Sequence, residues 1–450
     1  MNSTFSNYFC YFCIIIRASS VHCAFRRGIG EAISKNKNNM GKIIEKKYLI
    51  PFCLVTSLFL LWGIANNMTD TLLAAFKRIM NMSDAQTSLI QFAFYGSYFC
   101  FAFPAALFIQ KYSYKAGVIL GLSLYAAGAF LFLPAAKTAS YLFYLIAIYV
   151  LAGGCSILET TANPYILSMG SPETATRRLN IAQAFNPMGS IIGITLSHFF
   201  ILQEVSLYSV SGTYAGIGAV LVVILVIMLM ARMPEGKDSA DGRSVKSTFA
   251  RLTKNKRYSF GVIAQFFYVG AQIGVWSFTI RIVMQELGIT EADGSTIYLC
   301  TIIGFCASRF VYTWLMKYFR PANLLLFGGV MSTICALIVS LAAGTGWFLI
   351  IVLGLVSIFM SLMFPTIYGL ALEGISTGEN PGDTKLGACG LIMAILGGAL
   401  LTPVQGIVSD HSNIYVSYLV PTLCFVVVAL YALYVVRSDA AKTAITKADA

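Results

Sequence analysis

Two acids sit inside runs of apolar residues long enough to cross a lipid bilayer: Asp70 and Glu159. On insertion scales an ionised acid at mid-bilayer costs at least about 2.5–3.5 kcal/mol, so such residues face cavities and mark ion or proton paths. Burial also disfavours the charged form of a carboxyl group, which brings proton uptake within reach of neutral pH. Glu159 lies well inside its run, in Cys155-Ser-Ile-Leu-Glu-Thr-Thr-Ala-Asn-Pro164, and Asn163 follows one turn later on the same face. Asp70 is nearer the end of its run. Two other roles stay open at this point: a salt bridge to a fixed arginine for Glu159, and an interfacial position for Asp70.

Around these acids, amides and aromatic residues recur at helical spacing. Trp62, Asn66 and Asp70 are each four apart, with Asn67 beside them. Gln183 and Asn186 are three apart, just before Pro187. Gln265, Tyr268, Gln272 and Trp276 follow a 3-4-4 stripe, and Ser361, Phe364 and Tyr368 a 3-4 stripe. An amide both donates and accepts hydrogen bonds, and an indole or phenol ring stacks on the apolar face of a pyranose. A neutral sugar needs both chemistries. Polar residues also join membrane helices to one another, so the signal is convergence on several segments. Arg309 is the only basic residue deep in a run. It either pairs with a carboxylate or extends toward the bilayer edge.

These residues must be held by membrane helices. The chain has 450 residues, 58% hydrophobic and 11% charged, against roughly 25% charged in soluble domains. At about 20 apolar residues per crossing, the apolar runs predict helices over 48–72, 86–110, 115–135, 140–168, 178–202 and 211–232. After a break, further helices are predicted over 258–283, 294–318, 321–343, 346–373, 384–408 and 413–437. The expected fold is an all-α membrane protein of twelve transmembrane helices in two pseudo-symmetric six-helix bundles, residues 40–232 and 258–437. A basic linker, 233–257, joins them, and 438–450 forms a tail. Residues 1–39 read as a leader without function, with Met40 as the expected start.

The net charge of +12 does not mark a nucleic-acid protein, because the cations sit in short connectors. Lys111, Lys115, Arg177, Arg178, Lys317, Arg320 and Lys385 share a side with the linker, which the positive-inside rule makes cytoplasmic together with both termini. Glu373, Glu379 and Asp383, around the connector before 384–408, are expected to face water. The eleven cysteines lie mostly singly in apolar runs and imply neither disulfides nor metal. No phosphate-binding G-x-x-x-x-G-K-[ST] loop is present and the three histidines are far apart, which argues against ATP-driven transport and a zinc or catalytic centre. Gly397-Gly398 reads as close helix packing. The two halves echo each other: Asn163-Pro164-Tyr165 and Phe364-Pro365-Thr366 interrupt corresponding helices, a pattern that points to a transporter's substrate site.

Trp62-Gly-Ile-Ala-Asn-Asn-Met-Thr-Asp70 resembles the first-helix motif of the bacterial fucose–galactose–glucose/proton symporter family, within the major facilitator superfamily. So do Leu158-Glu-Thr-Thr-Ala-Asn-Pro164, Arg178-Leu-Asn-Ile-Ala-Gln-Ala-Phe-Asn186, Tyr268-Val-Gly-Ala-Gln272 with Trp276-Ser277, and Pro365-Thr-Ile-Tyr368. The resemblance implies alternating-access import of a neutral sugar in the bacterial inner membrane, with Asp70 and Glu159 as the protonation sites. It implies that Glu159 also lines the sugar cavity, with Asn67, Gln183, Asn186 and Trp276; with the residues read from spacing, the candidate substrate site is Asn66, Asn67, Glu159, Asn163, Gln183, Asn186, Gln272, Trp276, Phe364 and Tyr368. The coupling ion is expected to be the proton, with no cofactor, no metal and no nucleic acid; the partners are the sugar and the bilayer, and the protein is expected to be monomeric. Family members that take fucose carry a tyrosine where Phe364 stands, and a lost hydroxyl alters sugar preference. Other readings are an uncoupled or sodium-coupled hexose carrier, a sugar sensor that does not transport, and a membrane enzyme, for which no nucleophile–base set is found.

Overall fold

The computed structural model describes residues 43–79, 84–200, 206–234, 245–376 and 383–448. The expected leader, Glu379 and most of the linker before residue 245 lie outside these. The chain is helical throughout the described residues. In the first half run α1 (Leu49–Ile79), α2 (Asp84–Lys111), α3 (Tyr114–Thr138), α4 (Tyr141–Ser168), α5 (Ala175–Gln183), α6 (Phe185–Phe200) and α7 (Leu207–Met230). The linker contributes α8 (Val245–Lys254). The second half holds α9 (Lys256–Leu287), α10 (Glu291–Leu315), α11 (Pro321–Leu341), α12 (Trp347–Met360), α13 (Met363–Ser376), α14 (Asp383–Met393), α15 (Gly397–His411) and α16 (Leu419–Ala448).

Among the described residues, eleven segments are long and apolar enough to cross a membrane. The remaining crossing is the fifth. It carries Asn180, Gln183 and Asn186 among its apolar residues, and it is broken at Ala184, one turn before Pro187, into α5 and α6. The tenth crossing breaks in the same way at Ser361 and Leu362, one turn before Pro365, into α12 and α13. In each case proline has no N–H for the carbonyl four residues earlier. The interruption foreseen at Pro164 does not break its helix: α4 runs through it unbroken.

Helix ends follow side-chain chemistry. Ser113 and Asn255 cap α3 and α9 by accepting from Ala116 N and Tyr258 N. The C-terminus of α9 turns through Gly288 at φ 63°, a left-handed geometry that glycine adopts without penalty. Two cations expected as loop charges are capping groups instead. Lys115 Nζ donates to Leu229 O and Ala231 O, both at 2.8 Å, at the end of α7. Arg178 is fully buried. It donates to Ile166 O and Leu167 O at the end of α4 and to Ile43 O before α1, where free carbonyls favour a cation.

The packing repeats between the halves. In the first, α1 packs on α6, α2 and α3 on α4, and α3 on α7. In the second, α9 packs on α15, α10 and α11 on α12, and α11 on α16. Glycines set the closest approaches at corresponding places. A β-carbon at Gly63 would collide with Asn186 O, and one at Gly189 with Leu60 O, across α1 and α6. A β-carbon at Gly397 would collide with Phe266 O, and one at Gly274 with Gln405 Oε1, across α9 and α15. Gly397 and Gly398 are therefore packing residues, as their sequence suggested.

One end of the molecule gathers the linker helix, the start of α9 and the end of α16, tied by Arg257 to Glu373 at 2.6 Å and to Asp439 at 2.8 Å. We call this the linker end. Here the halves are closed on each other: α2 packs on α14 and α5 on α13. The Lys385 ammonium lies 4.8 Å from the Tyr114 ring centre across the seam, and Asn180 Nδ2 donates to Thr366 Oγ1 at 3.2 Å. Asp383, expected to face water, is buried. It receives both Arg251 Nε and Nη2 at 2.7 Å, and Thr248 Oγ1 at 3.0 Å, which anchors α8 to α14. Asp383→Asn removes this fork. Discounted for the partial exposure of Arg251, the pair contributes about 1 kcal/mol, so tryptic cleavage within α8 is expected to rise around fivefold; unchanged proteolysis would show that the fork does not hold the helix.

Candidate functional site

The second conspicuous feature of the fold is a set of polar groups held between the halves. In the first half, α4 is buried along its length from Leu151 to Leu167, and this brings Glu159, Thr160, Thr161 and Asn163 into the interior. The α5–α6 break places Gln183 beside them, and Gln183 Nε2 donates to Asn163 Oδ1 at 2.8 Å. Asn186, half-buried on α6, donates to Phe59 O of α1 at 3.3 Å. Asn163 and Gln183 are thus joined, with Glu159 one turn before Asn163 on α4 and Asn186 one turn after Gln183 across the break.

From the second half, α9 presents Gln272 and Trp276, both half-buried, and the Trp276 ring meets Phe305 of α10 edge-on at 5.0 Å between centres. The α12–α13 break presents Phe364, half-buried and 6.4 Å from the Tyr268 ring, and the fully buried Tyr368. Across the seam α5 packs on α13, which joins the elements that carry the two sets. Asn66, Asn67 and Asp70 lie on α1, but their side chains are outside the described residues. Trp62, one turn before Asn66, is fully buried against Phe59 at 5.1 Å.

Among the described residues Glu159 Oε2, Asn163 Nδ2, Trp276 Nε1 and Tyr368 Oη are each buried without a hydrogen-bond partner, as are both amide atoms of Gln265. Buried polar groups are normally paired, and an unpaired one costs about 1–3 kcal/mol. Orphaned donors and acceptors on α4, α9 and α13 suit a molecule rich in hydroxyl groups. Aromatic faces at Trp276 and Phe364 supply the apolar side of such a site. Gln265 entered the sequence reading only as part of a stripe, and its two unsatisfied groups add it to this set. Among the described residues no group of histidine, cysteine, aspartate or glutamate could hold a metal ion.

Among the described residues Arg309 of α10 pairs with no carboxylate, and it does not extend to the bilayer edge. It is buried, its guanidinium carbon 4.8 Å from the Phe305 ring centre, and its hydrogen bonds go to carbonyls. Nε donates to Ser361 O at 2.7 Å and Nη1 to Gln183 O at 3.0 Å. Those are the carbonyls four residues before Pro365 and Pro187, the two that proline leaves without a donor. One guanidinium therefore satisfies the broken helix of each half at once.

Comparison with known proteins agrees with this arrangement. Residues 52–382 match the family model described as Major Facilitator Superfamily. The L-fucose-proton symporter of Haemophilus influenzae is 41% identical over 427 residues, 87% of this chain and 97% of that protein. The L-fucose-proton symporter of Escherichia coli is 35% identical over 86% of this chain and 93% of that protein. The glucose/galactose transporter of Brucella abortus is 31% identical over 86% and 95%. The crystal structure of the transporter FucP in the outward conformation superposes with a TM-score of 0.79, at 34% identity, covering 87% of this chain and 99% of that one.

Proposed function

The chain belongs to the Major Facilitator Superfamily, and from that premise we propose that it imports a neutral monosaccharide, L-fucose or a related hexose, together with a proton. The observation that carries this reading is the set of orphaned buried polar atoms on both halves, Glu159 Oε2 among them. The resemblance to L-fucose-proton symporters and glucose/galactose transporters supports it.

In the proposed cycle the sugar enters from the end opposite the linker, which is the outward side. Asn66, Asn67, Asn163, Gln183, Asn186, Gln272 and Tyr368 hydrogen-bond its hydroxyls, and Trp276 and Phe364 pack on its apolar face. Asp70 and Glu159 take up the proton. A ligand moves an equilibrium only by its differential affinity for the two states. Protonation gives Glu159 an O–H donor and removes a charge that meets no cation among the described residues, so the loaded protein closes around the sugar where the unloaded one does not. The halves then rock, the linker end opens, and sugar and proton leave to the cytoplasm. Both termini are cytoplasmic, the membrane is the bacterial inner membrane, and one copy of the chain suffices.

Uptake into proteoliposomes of labelled fucose, galactose, glucose and N-acetylglucosamine, with and without an inward proton gradient, tests the reading. Accumulation of one sugar that depends on the gradient and collapses with a protonophore is expected. Accumulation that persists with protonophore and follows sodium would favour a sodium-coupled carrier instead.

A further inference from the structure

Away from the site between the halves, a cavity of about 1290 Å³ opens at the linker end, above the roughly 300–1,000 Å³ of small-molecule pockets. Its walls come from opposite halves. Phe99 and Phe103 of α2 form one side, Val262, Ile263, Phe266 and Phe267 of α9 the other, and α14 with Leu396 the floor between. Helix α8 closes the linker end with Phe249, Ala250 and Lys246. Phe99, Phe103, Phe249 and Ile263 are exposed rather than covered by protein, so the groove faces sideways into the bilayer.

We propose that this groove holds an acyl chain of an anionic phospholipid whose headgroup sits at Lys246. The apolar walls lie within α2, α9 and the α14–α15 region, all membrane-crossing segments, so the occupant enters from the hydrocarbon. An acyl chain gains little hydrophobic free energy by moving there from other lipid; packing and headgroup charge must select it. The charge is supplied. Helix α8 carries Lys246, Arg251 and Lys254 and no acid. Arg251 is engaged by Asp383, whereas Lys246 is exposed and without an ion-pair partner among the described residues. One lysine beside an anionic headgroup contributes roughly a fivefold gain in affinity. A zwitterionic lipid fills the same groove without that preference.

The test is native mass spectrometry of the full chain released from nanodiscs of phosphatidylethanolamine and phosphatidylglycerol, counting retained lipids. Wild type is expected to retain phosphatidylglycerol above its share of the bilayer. Lys246→Glu, at an exposed position, is expected to lower that retention at least fivefold. Ala250→Trp, also exposed and lining the groove, is expected to remove one bound lipid whatever its headgroup. Retention in both variants equal to wild type would overturn the proposal. So would equal retention of the two lipids by the wild type.

Discussion

Replacing Glu159 by glutamine is expected to abolish sugar accumulation driven by a proton gradient while leaving exchange of sugar across the membrane measurable. Glutamine keeps the shape of the acid and imitates its protonated form, so the site still binds and the halves still rock. It cannot release a proton, so the gradient no longer biases the cycle. A tenfold proton gradient stores about 1.4 kcal/mol. A one-to-one symporter converts this into up to roughly tenfold accumulation, and Glu159→Gln should stay at equal concentrations inside and out. Paired assays on the same proteoliposomes, one for net accumulation and one for counterflow, separate the two functions. Asp70→Asn is expected to lose accumulation too. Full gradient-driven accumulation in both variants would remove the proposed coupling.

Replacing Arg309 by methionine is expected to shift the protein toward a form open at the linker end. The hydrogen bond to Ser361 O lies within the second half and is present whichever way the halves are rocked. The bond to Gln183 O crosses the seam and exists only while this end is closed. Hydrogen bonds to charged groups contribute about 1.5–3 kcal/mol, so losing one moves the closed-to-open ratio by roughly ten- to 150-fold. The removal of desolvated charge affects both states and largely cancels. Spin labels at 112 and 320, exposed positions of opposite halves at the linker end, report the opening as a longer distance by pulsed electron resonance. Arg309→Lys, with one point charge in place of a fork, should fall between. A distance distribution unchanged in Arg309→Met would refute the latch.

Much of this architecture is legible in the sequence because the bilayer leaves few options. A spanning segment must satisfy its own backbone and hide its polar side chains, so run length, proline position and buried amides are readable without coordinates. The misread residues share one cause. Lys115, Arg178 and Asp383 sit in short connectors, where a solvated charge has the same sequence signature as one bound to helix-end carbonyls (Lys115, Arg178) or to a side chain of another helix (Asp383). Arg309 is different. The signal is present, since Gln183 and Ser361 each precede a proline by four residues, but nothing in a linear chain says that two carbonyls 178 positions apart converge on one guanidinium. The break in the fifth helix lies at Ala184, between Gln183 and Asn186, one turn before the donor that Pro187 lacks. The role of the α1 residues Asn66, Asn67 and Asp70 rests on their spacing and on the family resemblance.

The glycine contacts bear on how force travels through the molecule. Where Gly63 and Gly189 seat one backbone against another, and Gly397 does so in the other half, no side chain stands between the two helices to yield under load. These contacts join α1 to α6 and α9 to α15 without an intervening side chain. Work done there by a bound molecule is then not absorbed as local deformation. It is delivered, as by a rigid lever, to the contacts at the far end of the seam.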